Sequence, residues 1–166
     1  DDFFFPLLSP GWVAHFLGNE YYQTVEAYFY ALADFCKGDY EAVVEAGFVL
    51  QIDDPALVTR FGMANPPMSI EAYRKHVEMR IEATNYALRT IPEDRIRYHT
   101  CWGSWHTPHT TDLPFRHVID LMLTVKAQAY SVEAADVRHQ LDWQLWEDVK
   151  LPEGKVVCPG MITHAS

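Results

Sequence analysis

Short apolar runs alternate with longer amphipathic segments along the chain, and this alternation most limits the folds open to it. The runs cover residues 48–53, 95–101, 129–133 and 155–160, and each contains β-branched residues. A segment with helical periodicity precedes each run. Strands separated by helices predict an α/β protein with parallel strands joined by right-handed crossovers. We therefore expect about four consecutive strand–helix units.

The helical segments carry their own start and stop signals. We predict helices over residues 19–37, 39–45, 69–90, 115–126 and 137–149. Asn19 and Ser69 are the expected N-caps, because short polar side chains accept hydrogen bonds from the first helical turn. Gly38 is expected to break the first helix, and Gly47 is expected to end the second. The apolar residues of each segment recur every three or four positions, which predicts one buried face.

Composition excludes several classes of protein. The chain has 166 residues, about half of them hydrophobic, which suits one domain with a substantial core. The formal net charge of −10 argues against binding to nucleic-acid phosphates. No apolar run approaches the ~20 residues of a membrane helix. Three widely spaced cysteines form no disulfide framework, so we expect a cytoplasmic protein with free thiols.

His99 and Cys101 form the motif with the clearest chemistry. Residues two apart on a strand face the same way, so the imidazole and the sulfur should lie side by side. This pair of ligands suits Zn²⁺ better than a hard cation such as Mg²⁺. A buried cysteine beside a surface histidine is the structural alternative. A polar and aromatic loop follows the pair, as at the edge of an active site.

The other polar residues fall at the ends of predicted strands, where parallel sheets bind ligands. A catalytic zinc commonly has three protein ligands and one open position, and Glu133 is the best-placed third ligand. His106 and His109 are rival ligands, or contacts to the substrate. The remaining candidates for binding substrate are Asp53, Trp102, Trp105 and Asp112. Asp53 could instead cap a turn, and the tryptophans could simply close the mouth of the barrel.

Several segments together resemble one known family. They are Asn19-Glu-Tyr-Tyr, Ala46-Gly-Phe-Val-Leu-Gln-Ile-Asp-Asp-Pro-Ala-Leu57, His99-Thr-Cys-Trp-Gly103 and Ser131-Val-Glu-Ala134. The chain resembles the cobalamin-independent methionine synthase superfamily from about Ser9 onward. It is most similar to the shorter single-barrel relatives, which include the epoxyalkane–coenzyme M transferases.

This resemblance implies a (β/α)8 barrel of TIM type whose zinc binds and activates a thiol. By position, His99 and Cys101 match the family's first two zinc ligands and Glu133 matches its glutamate ligand. Asp53 matches the aspartate that holds the amino group of homocysteine, whereas Asp54 replaces the usual glutamate. The implied activity is zinc-dependent alkyl transfer to a thiol, as in 5-methyltetrahydropteroyltriglutamate–homocysteine S-methyltransferase. A methylfolate is one candidate alkyl donor.

Length sets this chain apart from a whole barrel, which needs ~250 residues. We expect the central part of such a barrel, a single partial domain over residues 1–166. Open strand edges then predict a homo-oligomer that covers them. Two alternatives to the transferase remain. One is a metal-dependent hydrolase that uses His99, His106, His109 and Asp112, and the other is a truncated fragment without catalytic activity.

Overall fold

Five parallel strands form the centre of the molecule, seen in a computed structural model that describes residues 3–103 and 110–163. The strands are β1 (Phe4–Leu8), β2 (Val49–Asp53), β3 (Ile96–Thr100), β4 (Ala129–Glu133) and β5 (Val156–Gly160). They lie side by side in chain order, and every neighbouring pair is parallel. The α/β class and the parallel sheet are confirmed. The expected number of four strands is wrong, because β1 adds a fifth.

Helices and short 3-10 turns connect the strands. The α-helices are α1 (Pro10–Phe16), α2 (Val25–Glu45), α3 (Ala56–Thr59), α4 (Ile70–Ala87), α5 (Ile119–Met122) and α6 (Leu145–Asp148). Single 3-10 turns cover Glu93–Arg95, Phe115–His117 and Asp142–Gln144. Among the described residues, none of these helices is both long and apolar enough to cross a lipid bilayer.

The first long helix, α2, differs from its prediction at both its start and its middle. Thr24 rather than Asn19 is the N-cap, and its hydroxyl accepts a hydrogen bond from the Ala27 amide (3.1 Å). The helix continues through Gly38, because a single glycine costs only about 1 kcal/mol within a long packed helix. Gly47 ends it as predicted, at a φ of 91° that a residue with a side chain rarely adopts.

Helix α4 follows its sequence signals closely. Its N-cap is Ser69, whose hydroxyl accepts a hydrogen bond from the Ala72 amide (3.2 Å). The inner face buries Tyr73, Val77 and Ile81 against α2 and the sheet. The helix ends at Ala87, three residues before the predicted end.

Two predicted helices are mostly replaced by tight turns. Within 115–126, only a 3-10 turn and the four residues of α5 are helical, and Val118 separates them with a non-helical backbone (φ −139°, ψ −3°). Within 137–149, the chain forms only the turn Asp142–Gln144 and α6. In that segment Val137 and Leu141 are exposed, so the apolar spacing does not mark a buried face.

The hydrophobic core lies on one face of the sheet. Alternate strand residues point into it, namely Leu50, Ile52, Ile96, Tyr98, Tyr130 and Val132. The opposite face carries polar side chains on the three central strands: Gln51, Asp53, Arg97, His99 and Ser131. The sheet therefore separates an apolar layer under the helices from a polar face, and the candidate site belongs to the polar face.

Candidate metal and substrate site

The register of the strands places two predicted site residues and one further polar residue in a line across the sheet. Asp53 on β2 pairs with His99 on β3, and His99 pairs with Ser131 on β4. Residues opposite each other in a sheet share a face. Cys101 comes one residue after β3, and Glu133 is the last residue of β4. All of these groups lie at the carboxyl edge of the sheet.

His99 and Cys101 share the same charged surroundings. Both are partly buried, and both have Asp53 and Glu133 among their charged neighbours. Burial lowers the pKa of His99, which keeps the imidazole neutral. Burial raises the pKa of the Cys101 thiol, and nearby carboxylates raise it further. The edge thus holds a neutral imidazole and a thiol in a negative field.

The Ser131 hydroxyl lies between His99 and the Arg97 guanidinium, which is on the same face of the sheet. The Arg97 guanidinium donates to the Ser131 hydroxyl oxygen (3.0 Å), and His99 Nδ1 lies 3.3 Å from that oxygen. Arg97 also stacks over the Phe4 ring, 4.6 Å from its centroid. These contacts fix the orientation of the His99 ring and leave Nε2 outside them.

Asp53 and Asp54 have different environments although they are adjacent. Asp53 is partly exposed and accepts a hydrogen bond from the Gln51 amide (2.8 Å). Asp54 is only 2 % exposed, and it accepts a hydrogen bond from the Tyr98 hydroxyl (2.9 Å). The hydroxyl of Thr100 donates to the Asp54 carbonyl (3.0 Å), and the Asp54 amide donates to the His99 carbonyl (2.8 Å). Asp54 therefore anchors the end of β2 to β3, whereas the Asp53 carboxylate stays partly exposed on the polar face.

Glu133 is one of the residues that line a cleft beside the last two strands. The cleft has a volume of about 660 Å³, and Phe115, Asp142 and Trp146 also line it. Arg138 has both Glu133 and Asp112 among its charged neighbours. Glu133 and Asp112 thus both lie within the electrostatic range of the Arg138 guanidinium.

Trp102 is a core residue in this structure. It is 2 % exposed, its indole N–H donates to the Leu113 carbonyl (3.3 Å), and its ring packs edge-on against Phe115. The His139 ring also stacks on it, at 3.5 Å between centroids and 17° between planes. Its burial argues against the predicted role as the exposed floor of a binding site and places the ring in the hydrophobic core.

The donor chemistry of the edge fits zinc, although the set of ligands is incomplete. A neutral imidazole and a thiol near two carboxylates are groups that Zn²⁺ prefers, and a cation would offset the negative field that raises the pKa of Cys101. Within residues 3–103 and 110–163, however, no three His, Cys, Asp or Glu side chains are gathered as a metal ion requires. The described part of the chain thus supplies His99, Cys101 and the nearby carboxylates, but not three ligands gathered around one point.

Three predicted residues, Trp105, His106 and His109, lie outside the described residues. Sequence reasoning missed Arg97 and Ser131, although two-residue spacing from His99 and Glu133 places them on the same face. The contacts of His139 with Trp102 and Asp142 were not predicted either, because residues 137–149 were expected to form a regular helix. No protein-family model matches the chain, and the search of curated proteins finds no similar protein.

Proposed function

We propose that the protein binds one zinc ion through His99 and Cys101 and transfers an alkyl group, such as methyl, to a thiol substrate. The observation that supports this most is the shared environment of these two side chains, both of which have Asp53 and Glu133 as charged neighbours. Glu133 is the proposed third ligand. Zinc, when bound, makes a thiol more acidic, so that a reactive thiolate is available near neutral pH.

The residues around the pair have distinct roles in this proposal. Ser131 and Arg97 orient the His99 ring, as partners of metal-binding histidines commonly do. Asp53 holds a cationic group of the substrate, and an ammonium group next to the thiol fits its partly exposed carboxylate. Orienting the sulfur and the alkyl carbon in line supplies the rest of the rate enhancement.

We infer that the sheet forms part of a (β/α)8 barrel. Five parallel strands in chain order with a core on one face are what a segment of such a barrel requires. In a barrel, the polar face described above lies inside, with the site at its carboxyl-terminal end.

Self-association through the outer strands follows from the same inference. Phe4 on β1 is 48 % exposed and Val156 on β5 is 50 % exposed, and among the described residues each of these strands pairs on one side only. Light scattering after size-exclusion chromatography should show a dimer or larger oligomer. A monomer that unfolds cooperatively would contradict this part of the proposal.

Metal analysis of the purified protein tests the zinc site directly. The wild type should bind about one zinc per chain, and His99→Ala and Cys101→Ser should each lose most of it. Cys36→Ser is the matched control, because Cys36 is a buried thiol on α2 that packs in the hydrophobic core, away from the proposed ligands. Undiminished zinc in both ligand variants would refute the proposal, and so would equal losses in the control.

Substrate specificity is tested with two thiols. Homocysteine carries an ammonium group that Asp53 can bind, whereas 2-mercaptoethanesulfonate carries none. Asp53→Asn should weaken the binding of homocysteine by tenfold or more and leave that of the sulfonate almost unchanged. Equal effects on both thiols would remove Asp53 from the substrate site.

A further inference from the structure

A second cleft lies between the end of α3 and the first two turns of α4. Its volume is about 520 Å³, and Arg60 and His76 line it together with apolar side chains such as Met63 and Met68. Among the described residues that line this cleft, none is acidic and none is a proposed zinc ligand. The cleft therefore combines one guanidinium and one imidazole with an apolar wall, and the zinc proposal uses none of them.

The protein uses only one side of the Arg60 guanidinium. Nη1 of Arg60 donates to Nδ1 of the His15 ring (2.9 Å). Within residues 3–103 and 110–163, Arg60 forms no ion pair with a carboxylate, and its Nε and Nη2 atoms are not buried. The N–H groups of Nε and Nη2 point the same way, which is the geometry that binds both oxygens of a carboxylate.

His76 supplies a second donor to the same cleft. Burial, followed by the charges of Arg80 and Arg60, lowers the pKa of His76 to about 4, so the ring is neutral near pH 7 and carries one N–H donor. The ring packs edge-on against Phe29 (5.7 Å between centroids), and its nitrogens are not buried. No carboxylate of the described residues raises the pKa of His76 or that of His15, so the arginine charges there are not offset.

Buried contacts hold the wall of this cleft in place. Phe61 packs edge-on against Tyr73, with 5.3 Å between ring centroids. The Tyr73 hydroxyl donates to the carbonyls of Ala56 (2.8 Å) and Leu57 (3.2 Å). The segment that follows α3 is thereby joined to α4. Because the cleft is already formed, a ligand loses little affinity to ordering of the protein.

We propose that this cleft binds a small organic carboxylate. Nε and Nη2 of Arg60 donate to the two carboxylate oxygens, His76 donates to one of them, and the apolar body of the ligand lies against Met63 and Met68. One guanidinium beside a neutral imidazole matches the single negative charge of such a ligand. The inference does not depend on the proposed zinc chemistry, because it uses none of the proposed zinc ligands.

Methionine NMR tests the proposal and locates the ligand. In protein labelled with ¹³C-methyl methionine, benzoate should shift the methyl signals of Met63 and Met68 and saturate them with a Kd of ~1 mM, as expected for so small a ligand. Benzamide has the same shape without the charge, so it should bind about tenfold more weakly or worse. The signals of Met79 and Met122, which do not line the cleft, should stay unchanged.

Variants of Arg60 test the contact to the carboxylate. Arg60→Gln should weaken benzoate binding about tenfold or more, and Arg60→Lys, which keeps the charge but not the paired N–H groups, should fall between it and the wild type. Arg89→Gln is the matched control, because Arg89 pairs with Asp34 outside the cleft, and it should bind benzoate as the wild type does.

Four results would overturn the inference. They are the absence of saturable shifts in the wild type, equal binding of benzoate and benzamide, unchanged binding in Arg60→Gln, and failure of both Arg60 variants to fold. The last result would show that Arg60 serves the fold instead of a ligand. Neither zinc nor a thiol is present in these experiments, so each of these results would leave the proposed function untouched.

Discussion

Removing the hydroxyl of Tyr98 tests whether Asp54 anchors the candidate site. Tyr98 is fully buried and donates to the Asp54 carboxylate at 2.9 Å. Tyr98→Phe leaves that buried carboxylate without this donor and changes little else in shape. A hydrogen bond to a charged group contributes about 1.5–3 kcal/mol, so we expect a loss of about 2 kcal/mol in the free energy of unfolding near neutral pH.

The effect of Tyr98→Phe should depend on pH in a defined direction. Burial raises the pKa of Asp54, so the carboxyl group is protonated in the folded protein at pH values where the unfolded chain is already ionised. A raised pKa adds stability that is fully present below the unfolded pKa and is lost as the pH rises through the folded pKa. At acidic pH the mutation therefore removes only a neutral hydrogen bond, and the loss should fall to about 1 kcal/mol.

Urea denaturation followed by tryptophan fluorescence measures these losses. Asp54→Asn and the double variant complete a double-mutant cycle, which should give a coupling energy of about 1–2 kcal/mol. A loss below about 0.5 kcal/mol in Tyr98→Phe, or a coupling near zero, would show that the hydroxyl does not hold Asp54. The role of Asp54 as an anchor of β2 to β3 would then be wrong.

Three further predictions concern single side chains. Burial and two nearby arginines lower the pKa of His76 to about 4, so the unfolded chain binds a proton first and stability falls as the pH drops below about 6.5. Allowing for partial exposure, the free energy of unfolding should fall by about 2 kcal/mol between pH ~6.5 and ~4. In His76→Gln, urea midpoints should no longer show this fall. If the midpoints of the variant depend on pH as those of the wild type do, His76 is not the cause. Gly38→Ala should raise the free energy of unfolding by about 0.5–1 kcal/mol, because an added methyl group meets no atom within 4 Å; lower thermal stability would argue against a continuous α2. Ser131→Ala should weaken zinc binding roughly tenfold by freeing the His99 ring, and competition with a chelator would show unchanged affinity if the hydroxyl has no such role.

The sequence predicts the middle strands well because their signals are local. The bounds of β4 agree with its predicted range of 129–133, and β2 and β3 agree within one residue at each end. Each is a buried run with β-branched residues, and burial follows from residue type. No strand was predicted over β1, and its Pro6 lacks the amide hydrogen that a strand within a sheet donates. As an outer strand, β1 tolerates the proline.

Helical periodicity predicted which residues are buried better than it predicted the conformation of the backbone. Val118, Leu121, Met122 and Val125 are all buried as expected, although α5 itself has only four residues. Successive tight turns also bring residues three or four apart to one side, so the spacing alone does not require a continuous helix.

The site was predictable as far as it depends on strand alternation. His99, Cys101 and Asp53 reach one edge because their strands are parallel and in register. His139 lies in an irregular segment, and its contacts with Trp102 and Asp142 depend on tertiary packing. No local pattern of residue types encodes such contacts.

Because the strands lie in chain order, the position of each connecting segment along the carboxyl edge follows its order in the sequence. Each connection joins only neighbouring strands, so each segment that follows a strand covers one sector of the rim. Insertions between β3 and β4 would reshape the sector above Cys101 and leave the register of β1 with β2 intact. Libraries of variants with substitutions in only one connecting segment could therefore change which molecules reach the candidate site. The pairing of the strands would stay the same.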